Sequence, residues 1–176
     1  MSAPQTPSLV LVGPMGAGKT SIGRRVAKAL GVPFSDTDAL IARVHGPIPE
    51  LFRSRGEAAF RELERQVVAG ALAEPGVLAL GGGAVLDART RDALQEHPVV
   101  LLSVAPHVVA RRIVGAGRPL LEGSDPIAAW QRIFAERKPL YDAVADVEFD
   151  TSRGPLSDIV TAVVAWAGTR IPGAHV

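Results

Sequence analysis

The feature that most constrains this chain is the stretch GPMGAGKT at residues 13–20. It fits the pattern G-x-x-x-x-G-K-[ST], directly after the apolar run LVLV at 9–12 and before a helical pattern. Glycines at such a junction let backbone N–H groups turn toward phosphate oxygens at a helix N-terminus. A plain glycine turn is the alternative, but the complete pattern in this context predicts a phosphate-binding loop, or P-loop.

The rest of the chain predicts an α/β fold around that loop. Further short apolar runs at 32–34, 77–80, 99–104 and 147–149 alternate with segments of amphipathic helical spacing. This alternation is typical of a parallel sheet with helices on both faces, and right-handed crossovers favour a doubly wound order. We therefore predict a three-layer αβα P-loop NTPase fold with a five-stranded parallel sheet.

Two segments depart from the plain alternation. Residues 37–73 hold too much helix for one crossover and include the Gly- and Pro-rich HGPIPELFRSRG, which predicts a helical insert at about 34–62. Residues 115–124 are bracketed by glycines between two helical patterns, which predicts a mobile lid at about 112–124. Both belong to a single expected domain, because 176 residues is near the usual size of one domain.

Composition excludes several classes of protein and site. A net charge of +1 with scattered basic residues predicts neither a nucleic-acid partner nor an anionic membrane partner. The lack of cysteine excludes disulfides and thiolate metal sites, and the four histidines lack H-E-x-x-H spacing. The N-terminal residues do not have the pattern of a signal peptide, and no apolar run has the length of a membrane span, so we expect a cytoplasmic protein.

The loop predicts ATP and Mg²⁺ as ligands. Lys19 is expected to reach the β- and γ-phosphates, and Thr20 to supply a hydroxyl to Mg²⁺. The chain has no N-K-x-D guanine signature, and its run at 77–80 ends in glycine rather than an Asp-Glu pair, which favours transfer to an acceptor over hydrolysis. The other nucleotide-binding positions expected in the loop are Gly13, Met15, Gly16, Ala17, Gly18 and Ser21.

Two acidic residues, Asp36 and Asp38, follow the second apolar run in the stretch FSDTD. Alternation along an extended strand end would point both carboxylates toward the carboxyl edge of the sheet, where α/β proteins bind ligands. One would then hold Mg²⁺ through water while the other orients an acceptor hydroxyl. The alternative is structural, with Thr37 or Asp38 as the N-cap of a helix that begins at Ala39.

The acceptor class is indicated by a glycine run and two arginines. LGGGA at 80–84 offers bare backbone N–H groups at the carboxyl edge of the sheet. Arg61 and Arg137 lie in helical patterns, where each has an ordinary alternative: a helix pair with Glu57 for the first and a surface charge for the second. Together with the acidic pair they favour a small polyhydroxylated carboxylic acid as acceptor.

Arg118 lies within the predicted lid. There it would close over the γ-phosphate as an arginine finger supplied in cis, and closure would exclude water from the reaction. The alternative is a solubilising charge on a linker. We expect the catalytic role, because lids of this kind commonly carry functional residues.

With these residues in place, residues 9–165 resemble the shikimate kinases, of the nucleoside-monophosphate-kinase-like group of P-loop proteins. Six motifs occur in order: GPMGAGKTSIGRRVAKALG, DTD, GEAAFRELE, LGGGAV, GRPLL and ERKPLYDAVAD. The resemblance implies a monomeric enzyme that transfers the γ-phosphate of ATP to the 3-hydroxyl of shikimate, in aromatic amino-acid synthesis. Rival assignments are a gluconate kinase of the same fold and a non-catalytic nucleotide-dependent switch.

The resemblance also implies roles for individual residues. Asp38 would hold a shikimate hydroxyl, the two arginines its carboxylate, and the backbone of Gly82 and Gly83 its ring hydroxyls. Asp36 and Thr20 match the magnesium positions, and Arg118 matches the lid arginine on both substrates. Arg111, Arg153 and Pro155 match positions at the adenine edge. One segment departs from the family: GPIPELF at 46–52 is a residue shorter than usual and carries two prolines. This difference bears on the angle at which the following helix, on the substrate side, begins.

Overall fold

The computed structural model describes residues 8–113, 125–168 and 170. Its strands are β1 (Leu9–Val12), β2 (Phe34–Asp36), β3 (Val77–Ala79), β4 (Val99–Ser103) and β5 (Val147–Asp150). All pairings are parallel, and the strands lie in the order β2-β3-β1-β4-β5. The predicted five-stranded parallel α/β sheet is confirmed.

The helices fill the connections between these strands. They are α1 (Lys19–Leu30), α2 (Thr37–His45), α3 (Ile48–Leu72), α4 (Ala88–Leu94), α5 (Pro106–Ile113), α6 (Pro126–Val144) and α7 (Leu156–Gly168), with a short 3₁₀ helix at Ala84–Leu86. Helix α3 is interrupted at Gly56, whose φ of 78° lies outside the helical region. Among the described residues, no helix combines the length and apolarity needed to span a bilayer.

The predicted strands are correct to within one residue, except the second, which is shifted. It was predicted at 32–34, but β2 begins only at Phe34. Gly31 ends α1 in the left-handed conformation, and the N–H of Val32 donates to the carbonyl of Ala27 at 3.0 Å. Val32 therefore completes the helix cap instead of entering the sheet.

The central strand β1 supplies both halves of the core. Leu9 and Leu11 pack into one cluster with α1 and α7, whereas Val10 and Val12 pack into another with α3 and α4. All four side chains are at most 1% exposed. This alternation is what a strand covered on both faces requires, and it gives the three layers.

A third cluster lies apart from the sheet and joins α2 to α3. Its buried members are Ile41, Leu51 and Phe60. We call this group, with the partly buried Phe52 that packs on it, the α2–α3 cluster. It lies where the sequence predicts a helical insert, although the boundaries at 34–62 stay a prediction. Of the lid predicted at 112–124, residues 114–124 lie outside the described part of the chain.

Candidate active site

The P-loop leaves the middle of the sheet and enters α1. Gly16 and Gly18 have φ of 81° and 89°, in the region that favours glycine. A Cβ at Gly13 would lie 2.2 Å from the carbonyl oxygen of Leu102, so this part of the loop packs directly against β4. Helix α1 begins without a side-chain cap on its N-terminus, which leaves its first N–H groups available to an anion.

A continuous cavity of about 700 Å³ opens beside this loop. It is lined by the loop on one side and by α2, α3, α6 and the glycine run on the other. The structure therefore brings the predicted phosphate-binding and acceptor-binding residues together. Those that line it are Met15, Gly16, Gly18, Lys19, Thr20, Ser21, Asp36, Asp38, Arg61, Gly82, Gly83 and Arg137.

Other residues predicted for the site lie elsewhere. Ala17 and Gly13 are buried in and behind the loop, and neither lines the cavity. Arg111, Arg153 and Pro155 are exposed and also lie outside the lining. Arg118 lies outside the described residues.

Arg112, which the sequence analysis missed, lies beside the P-loop and follows the predicted Arg111 directly in the chain. Its Nη1 donates to the carbonyl of Gly16 at 2.8 Å, and its Nη2 donates to the carbonyl of Thr151 at 3.2 Å. Arg112 lines the cavity, whereas Arg111 points elsewhere because consecutive residues of a helix are turned about 100° from each other. The role of Arg111 at the adenine edge stays a prediction.

Asp36 connects α2 to the start of α1. One carboxylate oxygen accepts the hydroxyl of Thr20 at 2.5 Å, and the other accepts the N–H of Ala39 at 3.1 Å. Asp36 is therefore the N-cap of α2, where the sequence analysis named Thr37 or Asp38 as the candidates.

The Thr20–Asp36 pair has the chemistry of a magnesium site. A hydroxyl and a carboxylate are hard oxygen ligands, and Mg²⁺ typically takes one or two carboxylates and completes its shell with water and phosphates. In the part of the chain described, no cluster of three or more His, Cys, Asp or Glu residues could hold a metal on its own. The pair fits Mg²⁺ that arrives with a nucleotide.

Asp38 lies in the first turn of α2 and faces the start of the glycine run. A Cβ at Gly81 would lie 2.5 Å from Oδ1 of Asp38 and 2.8 Å from Oε1 of Glu64, so the two carboxylates meet where the backbone is bare. The N–H of Gly81 also donates to the buried hydroxyl of Thr37 at 2.9 Å. These contacts fix the acidic stretch against the end of β3.

Arg61 is held from three directions. It donates to Glu64 at 2.7 Å and to Glu57 at 3.2 Å. Its guanidinium carbon lies 5.7 Å from the ring centroid of Phe52 and 5.3 Å from that of Phe60, within cation–π range. The helix pair with Glu57 thus exists, but the guanidinium also rests on the α2–α3 cluster and lines the cavity.

Glu64 is the acidic residue of the cavity that the sequence analysis missed. It is 2% exposed, and burial raises the pKa of its carboxyl group, with Arg61 opposing the rise and Asp38 adding to it. The available signal was its spacing of three residues from Arg61 on α3, which places the two side chains on one helix face.

Gly82 is where the glycine run meets α6. The hydroxyl of Tyr141 donates to the carbonyl of Gly82 at 2.6 Å, and Nη1 of Arg137 would lie 3.7 Å from a Cβ at Gly82. Burial raises the pKa of Tyr141 to about 12, so the phenol stays a donor at every working pH. Arg137 is only 7% exposed, which places a cation at the cavity wall with little contact to bulk water.

Comparisons with known proteins agree with this arrangement. The sequence model of the family described as shikimate kinase matches residues 15–167. The chain is 51% identical to the shikimate kinase of Saccharopolyspora erythraea over 83% of this chain and 85% of that protein. It is 46% identical to the shikimate kinase of Mycobacterium avium over 94% of both.

Solved structures give the same result. The structure of shikimate kinase from Acinetobacter baumannii in complex with shikimate superposes with a TM-score of 0.88, at 35% identity over 94% of each chain. The family model covers most of the chain, and the curated relatives match it over nearly their whole length. This chain belongs to the shikimate kinase family.

Proposed function

We propose that this shikimate kinase transfers the γ-phosphate of ATP to the 3-hydroxyl of shikimate inside the cavity described above. The observation that carries the proposal is that one cavity contains the phosphate-binding loop at one side and Asp38, Arg61 and Arg137 at the other. Phosphoryl transfer requires the donor phosphate and the acceptor hydroxyl to be held in line. The protein contributes mainly by positioning these groups and stabilising their charge, with little covalent chemistry of its own.

On the acceptor side, Arg61 and Arg137 hold the carboxylate of shikimate. Planar guanidinium groups suit carboxylates because they form paired, charge-assisted hydrogen bonds. Asp38 accepts a hydrogen bond from the 3-hydroxyl and orients it for attack. The backbone of Gly82 and Gly83 lies against the ring hydroxyls, since neither residue has a side chain to exclude them.

On the donor side, Lys19 interacts with the β- and γ-phosphates. Its ammonium group donates to the carbonyls of Gly13 and Pro14 at 2.8 and 2.9 Å, so it lies folded over the loop where phosphates bind. Arg112, already beside the loop, is the better-placed arginine for the nucleotide than Arg111. Arg153 and Pro155 remain proposed for the adenine edge.

Thr20 and Asp36 would hold the Mg²⁺ that accompanies ATP. The ion, when bound, neutralises charge on the phosphates during transfer. Arg118 in the lid supplies a further positive charge in this proposal. Barrier lowering then comes from positioning and charge neutralisation by Lys19 and Arg118 around the transferring group.

The proposal makes a specific prediction for Gly83→Ala. A Cβ at Gly83 would lie 2.1 Å from Nη1 of Arg61, and the flexible guanidinium would shift to avoid it. Because charge-assisted hydrogen bonds contribute about 1.5–3 kcal/mol each, we expect the KM for shikimate to rise by about tenfold to one hundredfold. Steady-state kinetics with each substrate varied in turn measures this, and the KM for ATP should stay within about twofold.

The matched control is Gly70→Ala, on the exposed face of α3. A Cβ at Gly70 meets nothing within 4 Å, so the change leaves both KM values as they are and adds up to about 1 kcal/mol to the free energy of unfolding. An unchanged KM for shikimate in Gly83→Ala would contradict the placement of Arg61 on the acceptor.

The function itself is tested by ADP release from Mg-ATP alone, with gluconate and with shikimate. Shikimate-dependent release, with one phosphate found on the 3-oxygen by NMR, is the expected result. Gluconate dependence would indicate the rival kinase of the same fold. Release without any acceptor, or none at all, would indicate a hydrolase or a switch.

We propose three further properties on the same basis. The enzyme acts as a monomer, in the cytoplasm, and its single domain carries an acceptor-binding insert at about 34–62. Light scattering coupled to size exclusion measures the first. The α2–α3 cluster, which packs separately from the sheet, supports the third.

A further inference from the structure

Helix α6 contacts both halves of the cavity through side chains that the phosphoryl transfer does not use. Near its start, the indole N–H of Trp130 donates to the carbonyl of Met15, inside the P-loop, at 2.8 Å. Near its end, the hydroxyl of Tyr141 donates to the carbonyl of Gly82 at 2.6 Å. Each bond joins a buried aromatic side chain to the backbone of a loop that lines the active site.

These two aromatic residues are joined through a third. The ring of Phe134 stacks on Trp130 at 5.1 Å between centroids and lies 6.4 Å from the ring of Tyr141. Trp130 and Tyr141 are each 1% exposed and belong to the cores on opposite faces of the sheet, whereas Phe134 packs against both cores. The three rings form a continuous row along α6.

The spacing of the row matches one face of the helix. Residues 130, 134, 137 and 141 follow steps of four, three and four, so they lie along one side of α6. Tyr141 is eleven positions after Trp130, which corresponds to about 16 Å along the helix axis. Arg137, proposed for the shikimate carboxylate, lies between them on the same side.

We propose that Trp130 and Tyr141 are positioning residues, and that α6 uses them to hold the P-loop and the glycine run at a fixed separation. The proposal rests on the function proposed above. A hydrogen bond to the Met15 carbonyl orients the peptide that leads into the phosphate-binding N–H groups. A bond to the Gly82 carbonyl orients the backbone beside the acceptor. Neither aromatic residue is among those that line the cavity.

The two bonds then act on different substrates. Tyr141→Phe removes one hydroxyl and keeps the ring, so we expect the KM for shikimate to rise about fivefold to tenfold while the KM for ATP stays within about twofold. Trp130→Phe removes the indole N–H, and we expect the reverse pattern: a similar rise in the KM for ATP with the KM for shikimate nearly unchanged. Full kinetics with both substrates varied measure both patterns.

A purely structural role gives a different result. If the rings only fill the core, the variants lower the unfolding temperature and the active fraction, but both KM values stay at the wild-type level. That outcome, or equal rises in both KM values in both variants, would overturn the proposal. Trp166→Phe is the matched control: it removes the chain's other indole, on α7 outside the cavity lining, and we expect both KM values to stay unchanged.

A spectroscopic measurement keeps the test independent of how well Trp130→Phe folds. Trp166→Phe leaves Trp130 as the single tryptophan of a chain with two. Because the indole of Trp130 is hydrogen-bonded to the P-loop, Mg-ADP should change the fluorescence emission of Trp130. Shikimate alone should leave this emission nearly constant. Emission that is indifferent to Mg-ADP would overturn the nucleotide half of the proposal. Wild-type ADP release that depends on shikimate, measured alongside, separates failure of this inference from failure of the proposed function.

Discussion

Asp38→Asn is expected to lower kcat by about two to four orders of magnitude, the range typical of losing a group that assists proton movement at the acceptor. The substitution keeps the size of the side chain and removes its charge. An amide accepts a hydroxyl hydrogen bond less strongly than a carboxylate, and it cannot take the proton as the new P–O bond forms. Turnover at saturating shikimate and ATP measures the effect.

The chain contains a matched control for this change. Asp158 lies in the first turn of α7, as Asp38 lies in the first turn of α2, but it is exposed and does not line the cavity. Each Asn variant loses a similar favourable interaction with a helix N-terminus, about 0.3–1 kcal/mol. Asp158→Asn should keep full activity. Near-normal turnover in Asp38→Asn would reduce Asp38 to a helix-stabilising acid.

Lys19→Met is expected to lower kcat by about two to three orders of magnitude, similar to the loss of one preorganised group that stabilises transition-state charge. Methionine retains the length of the aliphatic stem but cannot neutralise the phosphates. Ligand-induced shifts in unfolding temperature separate the two halves of the cavity, since a ligand stabilises only a protein that binds it. Shikimate should still stabilise the variant, and Mg-ADP should stabilise it much less than it does the wild type.

Lys28→Met provides the comparison, because Lys28 is an exposed cation in the last turn of the same helix. The Lys28→Met variant loses a charge at the end of the helix that is not part of the P-loop. Its kcat and its shifts in unfolding temperature with shikimate and with Mg-ADP should therefore match the wild type. If Lys19→Met kept near-normal turnover, the P-loop lysine would have no role in transfer, and the donor side of the proposed site would be wrong.

Local patterns predicted the parts of the fold that depend on contiguous residues. The P-loop could be predicted because its strand, glycines and helix occupy residues 9–30 without interruption. The start of β2 was misplaced for an equally local reason. A hydrophobic run that follows a helix can belong to the helix cap or to the next strand, and here Val32 belongs to the cap of α1. The relative order of strands depends on long-range pairing, and only the α/β rhythm was available to predict it.

The two hydrogen bonds that α6 makes to the loops of the cavity join distant segments of the chain. Trp130 and Met15 are 115 residues apart, and Tyr141 and Gly82 are 59 apart, so no spacing rule connects them. The choice between Arg111 and Arg112 depends on the rotation of α5 about its axis, which two adjacent arginines leave undetermined. Glu64, which lies on α3 beside Arg61, was open to prediction from its spacing alone.

The separateness of the α2–α3 cluster has a consequence for how this enzyme tolerates change. The cluster that supports Arg61 shares no buried member with the two cores that support the P-loop. We therefore expect substitutions at Phe52 or Phe60 to change the surroundings of Arg61 more than those of the P-loop. If Arg61 binds the acceptor as proposed, acceptor preference can change in evolution while ATP binding is retained.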